Sequence, residues 1–244
     1  MLNEEMNKQG NWLFRYRSYL PLILVLVAVA AMSQGESLER WDTVEEIFCV
    51  LAVVVSLAGL VVRIKTVGHV PSRTSGRNTK NQIADTLNTT GMYSVVRHPL
   101  YFGNFLMWLG IVMLTQNWWF ILFFLVAYAL YYERIMQAEE AFLRRKFGES
   151  FEAWCEKTPA FWPRWRQWKP SNLPFSTRFV LRREYSGLLA MVLGFVFVEV
   201  VGDAFEEGHL KLDLGWGIAL GVALVVYIVL RSLKKAKKLD VEGR

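Results

Sequence analysis

Two short stretches carry most of the side chains able to do chemistry in a chain that is 53% hydrophobic. The first, GMYSVVRHPLYFGN, runs from Gly91 to Asn104 and sets Arg97, His98 and Pro99 against a long apolar run. Proline suits the first turn of a helix, where its missing N–H would have no partner in any case. The free N–H groups of that turn, with Arg97 and His98 beside them, make an anion site. Tyr101 follows, and Gly103 admits a flat group or a neighbouring helix. The second stretch, ERIMQAEEAFLRRKFG, begins at Glu133. Glu133, Gln137 and Glu140 share one helical face. Glu133 and Arg134 stand at the end of an apolar span, where ionisable groups are costly. Taken singly, each stretch reads more simply as ordinary structure. The first is then a capped helix with a snorkelling arginine, the second a solvated amphipathic helix with a Glu140–Arg144 pair.

The elements that must position these groups are membrane helices. Apolar residues come in blocks rather than at the period of an amphipathic helix or strand. Leu20–Met32, Ile47–Val62, Phe102–Leu114, Trp118–Tyr132, Gly187–Val201 and Leu214–Leu230 hold no charge except Glu199. With their aromatic and hydroxyl flanks they approach the roughly 20 residues a span requires. The expected fold is all-α, a polytopic membrane protein with about six transmembrane helices. If the N-terminus is cytoplasmic, the outer loops are 33–46, 115–117 and 202–213. Of the 28 lysines and arginines only Arg40 and Lys211 then fall outside. That is the positive-inside pattern, with both termini cytoplasmic. It accounts for the net charge of +6 through an anionic lipid surface and leaves no need for nucleic acid. The apolar run PLILVLVAVA after a charged start has the outline of a secretory leader. An even number of crossings favours reading it as a retained first span. Cys49 and Cys155 fall on opposite sides and should not pair, and no metal-ligating pattern stands out.

One membrane domain, 1–244, is expected. Residues 1–66 make an N-terminal helical hairpin and 67–90 a polar cytoplasmic loop. Residues 91–168 make the catalytic core, with a tight hairpin turning at TQNWW, a charged helix broken at Gly148, and a Trp-rich segment suited to the membrane interface. Residues 184–233 make a C-terminal hairpin. The core hairpin brings the two chemical stretches together at the cytoplasmic rim. One offers cations and helix N–H groups, the other carboxylates. A zwitterionic ligand with a carboxylate and an amine would satisfy both.

The ordered set of residues resembles the isoprenylcysteine carboxyl methyltransferases and their relatives among phospholipid methyltransferases. Its parts are Gly91, Tyr93, Arg97, His98, Pro99, Tyr101 and Gly103, then Glu139, Glu140, Leu143, Phe147 and Gly148, then Pro159 and Pro163. Phe151 and Trp154 stand where that family usually has tyrosines. The resemblance implies S-adenosylmethionine as methyl donor, bound without the sheet of soluble methyltransferases. It places Arg97, His98, Pro99 and the following N–H groups at the donor's carboxylate, and Glu139 or Glu140 at its ammonium. Tyr101, Phe147 and Trp154 would pack on the adenine, and Gly103 and Gly148 belong to the same binding pattern. Arg134, with Glu140, is the expected catalytic residue, holding an anionic acceptor head group.

The expected reaction is methyl transfer to a lipid-linked carboxylate or phosphate at the cytoplasmic face, with lipid or a lipidated molecule as partner. A phospholipid amine is the alternative acceptor. A non-enzymatic transporter or scaffold is the rival class, to which Glu199 lends weight. The location expected is an integral multi-pass one, in the inner membrane of a bacterium or an endomembrane of a eukaryote.

Overall fold

The computed structural model describes residues 2–19, 21–34, 42–71, 74, 82–206 and 208–243. Arg40, half of the outer loop 33–46 and part of the polar loop 67–90 lie outside the described residues. Within them the chain is helical: α1 Leu2–Tyr16, α2 Pro21–Met32, α3 Asp42–Val67, α4 Pro99–Leu114, α5 Trp118–Phe147, α6 Glu149–Lys157, α7 Thr177–Glu206 and α8 Leu214–Lys235. Extended pairing among the described residues is limited to an isolated bridge between Gly91 and Lys169. The all-α polytopic membrane fold is therefore as expected.

Four helices, α3, α5, α7 and α8, are long and apolar enough to cross a bilayer. The apolar blocks in α2 and α4 form shorter helices of 12 and 16 residues. At 1.5 Å per residue these reach about 18 and 24 Å, short of a hydrocarbon core of roughly 30 Å. Helix α8 keeps Leu214, Ile218, Val222, Val225 and Ile228 exposed and buries only Ala223, as a surface facing hydrocarbon would.

The first sixteen residues hold a helix that the block pattern hid. Helix α1 mixes charge and aromatics, and it buries Gly10 and Phe14 against α5. Gly10 sits on the Arg134 carbonyl, where a side chain would have no room. Helix α5 runs 30 residues without a break, so its apolar and charged halves are one rod of about 45 Å. It ends at Gly148, whose φ of 53° is the left-handed value that favours glycine.

Helices α3 and α4 cross at small residues. A Cβ on Gly103 would come within 2.6 Å of Arg63 Cγ and 2.9 Å of the Gly59 carbonyl. Deeper in, Ser56 Oγ donates to the Met107 carbonyl at 2.7 Å. This close approach brings Arg63 of α3 over the face of α4. The start of α7 is tied to the end of α3, the Ser176 N–H donating to the Gly68 carbonyl at 2.9 Å. Three helix ends thus gather on one side of the bundle.

Candidate functional site

The Arg-His-Pro segment is held by the Pro-rich segment some sixty residues later. The N–H groups of Arg97 and His98 donate to the carbonyls of Pro159 and Ala160 at 2.9 and 3.2 Å, and Arg164 N–H returns to Val95 at 3.0 Å. Arg97 Nη1 donates to the carbonyls of Cys155 and Thr158 at 3.0 and 2.8 Å. Trp154 Nε1 donates to the Tyr93 carbonyl at 3.0 Å. The two ends of the motif are therefore one laced unit, which explains why prolines so far downstream belong to it. Beyond the lacing, Trp162, Trp165 and Trp168 stay exposed.

His98 is the N-cap of α4 and Pro99 its first residue, and no side chain caps the N–H groups of that turn. The two glutamates of α5 meet this end of α4. Glu140 Oε1 accepts from Arg97 Nε at 2.8 Å and lies 3.0 Å from His98 Nε2. Glu139 Oε2 lies 3.5 Å from His98 Nδ1, and its other oxygen accepts from Tyr101 Oη at 2.6 Å. Both imidazole nitrogens thus face carboxylates, an arrangement that suits the doubly donating imidazolium. Burial pulls the His98 pKa down, but the hydrogen bonds and charges of Glu139 and Glu140 outweigh it and hold the pKa above the ordinary 6.5. Tyr101 in turn packs against Tyr132, ring centroids 4.8 Å apart, and its carbonyl accepts from Tyr128 Oη at 2.8 Å.

This end of the bundle opens into a cavity of about 550 Å³. Arg97, His98, Pro99, Tyr101, Glu139 and Trp154 line it. Glu140 is turned away toward Arg97 and His98. Gly103 faces α3, and Phe147 and Gly148 lie at the far end of α5, off the lining. Arg134 is also off the lining and pairs with the neighbouring Glu133 at 3.1 Å.

The further lining residues include Arg63, Gln82, Asn104 and Glu184, none of them among the site residues expected from the sequence. Gln82 Nε2 is buried there without a hydrogen-bond partner, the kind of orphaned donor that a polar ligand would satisfy. Arg63 and Glu184 sit at the edges of apolar blocks. Opposite charges at the same end of two spans were the available signal for pairing them.

The arrangement suits a ligand of amino-acid type joined to a flat ring. The uncapped helix turn and the imidazolium offer a place for a carboxylate. Glu139 offers one for an ammonium, Tyr101 and Trp154 rings for stacking, and Gln82 a donor.

Residues 47–150 match the phospholipid methyltransferase family. The chain is 31% identical to the cobalt-zinc-cadmium resistance protein CzcN of Cupriavidus metallidurans, over 82% of this chain and 86% of that protein. It is 29% identical to the nickel-cobalt-cadmium resistance protein NccN of Alcaligenes xylosoxydans xylosoxydans, over 80% and 85%. A shorter match, 38% identical over 30% of this chain and 31% of the relative, is to the protein-S-isoprenylcysteine O-methyltransferase of Schizosaccharomyces pombe. No solved structure matches the chain.

Proposed function

The chain belongs to the phospholipid methyltransferase family, and from that premise we propose that it binds S-adenosylmethionine in the cavity at the start of α4 and methylates an anionic oxygen of a lipid-linked acceptor at the cytoplasmic membrane face. The observation that carries this reading is the junction of α4 and α5. There an uncapped helix N-terminus, an imidazolium and the Glu139 carboxylate border one cavity. S-adenosylmethionine supplies the methyl group, whose carbon bonds to the acceptor oxygen as the carbon–sulfur bond breaks and its electron pair stays on sulfur, so that a sulfonium and an anion become two neutral centres and no proton is released.

The first-turn N–H groups of α4 receive the donor's carboxylate, with the charge of the His98 imidazolium beside them, and Glu139 receives its ammonium. Tyr101 and Trp154 flank its adenine, and Gln82 donates to a ring nitrogen. Arg97 and Glu140 hold His98 and the laced segment in place, and Gly103 lets α3 close one wall. The protein's work is alignment and exclusion of water rather than proton removal. An amine acceptor would need a base. Glu139, the acid beside the donor site, is already bonded to Tyr101 and faces His98. This supports oxygen over nitrogen as the acceptor. The excess of cations on the segments read as inner loops supports a cytoplasmic site.

The names of the two long relatives fit such a reaction. Methylating an anionic lipid removes a surface charge, and with it part of the local enrichment of divalent cations. The test is incubation of the protein in nanodiscs with radiolabelled donor and a total lipid extract. Label in an acidic lipid, released by base as methanol if it sits on a carboxylate, is the expected result. Label confined to amines would refute the acceptor class, and no labelled lipid at all would refute the reading.

A further inference from the structure

Arg63, Asn104 and Glu184 form a partly buried polar cluster that the donor site leaves unused. Arg63 Nε and Nη2 donate to the two oxygens of Glu184 at 2.7 and 2.9 Å, and Nη1 donates to Asn104 Oδ1 at 2.5 Å. Glu184 is only 5% exposed. A buried ion pair is a poor device for stability alone, because well-packed apolar residues of the same volume do as well or better. Here the pair works as a mount. A bidentate carboxylate and an amide fix the guanidinium plane. They engage three of its five N–H donors, while the residue lines the cavity.

Depth separates this cluster from the donor site. Arg63 is four residues from the end of α3, Asn104 five from the start of α4 and Glu184 seven from the start of α7. At 1.5 Å per residue all three sit about 6 to 10 Å inside the helix ends. His98, by contrast, caps the rim.

We propose that Arg63, oriented by Glu184 and Asn104, receives the anionic head group, phosphate or carboxylate, of the lipid acceptor, one layer deeper than the donor. The proposal rests on the methyltransferase reading of this cavity. It assigns to Arg63 the task that the sequence suggested for Arg134, which lies off the lining. It also gives the C-terminal hairpin a part in the site, since Glu184 lies beyond the residues matched to the family.

The test uses the full chain in neutral-lipid nanodiscs doped with phosphatidic acid, with oleate, or with phosphatidylethanolamine. Donor binding is read by calorimetry and methyl incorporation by radiolabel. The informative variant is the neutral pair Arg63→Gln with Glu184→Gln, which keeps a hydrogen-bonded contact and leaves no lone buried charge. The expected result is an unchanged donor Kd, with the half-saturating amount of phosphatidic acid or oleate raised roughly tenfold or more, the loss of one charge-assisted bond. Whichever of those two arms incorporates label identifies the head group. Wild-type acceptor dependence in the double variant would show a purely structural pair and overturn the proposal. Methylation of phosphatidylethanolamine alone would also overturn it while leaving the methyltransferase intact. Failure of the wild type to bind the donor would instead remove the reading beneath it.

Discussion

The two adjacent glutamates of α5 should separate into a ligand-binding and a structural residue when each is changed to glutamine. Glu139 lines the cavity and Glu140 does not. Glu139→Gln keeps an oxygen for Tyr101 and loses the charge offered to an ammonium. One charge-assisted hydrogen bond contributes about 1.5–3 kcal/mol, so the donor Kd should rise about 10- to 150-fold, with a smaller loss of stability than at Glu140, because the His98 imidazolium keeps its Glu140 partner. Glu140 instead accepts from both Arg97 and His98, whose side chains are 16% and 5% exposed. An amide oxygen can retain one of these bonds but cannot neutralise two neighbouring cations. The loss should be about 2–4 kcal/mol of folding stability, toward the lower end for a partner still in reach of water. Donor affinity would fall only as far as His98 is released. Denaturation in mixed micelles gives the first quantity and calorimetry in nanodiscs the second. Equal effects of the two variants on both quantities would refute the division. So would a Glu140→Gln protein that keeps its stability and loses the donor.

Other consequences follow from single contacts. Because the His98 pKa is raised, the stability it contributes is complete below about 6.5, its ordinary value, and is lost as pH rises through the higher folded value. The gap in thermal midpoint between wild type and His98→Asn should therefore narrow on going alkaline, and donor affinity should weaken over the same window. A gap that widens with pH would contradict the imidazolium. Gly103→Ala should cost about 1–3 kcal/mol by pressing a methyl group on Arg63 and the Gly59 carbonyl. It should weaken acceptor use more than donor binding, as separate titrations of the two would show. Gly148→Ala meets no neighbour within 4 Å, so its cost, about 1–2 kcal/mol, should come from the positive φ alone. Replacement by asparagine should recover little of the loss in the same unfolding assay, because the ψ of −127° lies outside the left-handed helical region that asparagine tolerates.

How much of this was legible in the sequence differs from residue to residue. Apolar blocks reveal helices buried in lipid because their signal is local, and α3, α5, α7 and α8 stand where the blocks stood. Helix α1 was missed for the converse reason. Its apolar residues are few and spaced around a charged face, so no block forms, and its burial depends on Gly10 meeting the backbone of α5. The junction of His98 with Glu139 and Glu140 could be foreseen because one short hairpin connects them. Which glutamate faces the cavity could not. It depends on the rotation of α5 about its own axis, set by the Tyr101, Tyr128 and Tyr132 contacts and by the lacing of Pro159 and Ala160 to Arg97 and His98. Gly103 was read as open to a ring or a helix, and the helix is what occupies it. Arg63 and Glu184 are 121 residues apart, so the sequence offered only their opposite charges at the same end of two spans, and it is the gathering of three helix ends that brings them together.

The central claim is that the cavity at the start of α4 binds a methyl donor through His98 and Glu139. Calorimetric titration of S-adenosylmethionine into the wild-type protein and into Glu139→Gln, both in nanodiscs, tests it most directly. The account expects one site per chain in the wild type, displaced by S-adenosylhomocysteine and weakened about 10- to 150-fold in the variant. No saturable binding to the wild type, or equal binding to both proteins, would contradict it.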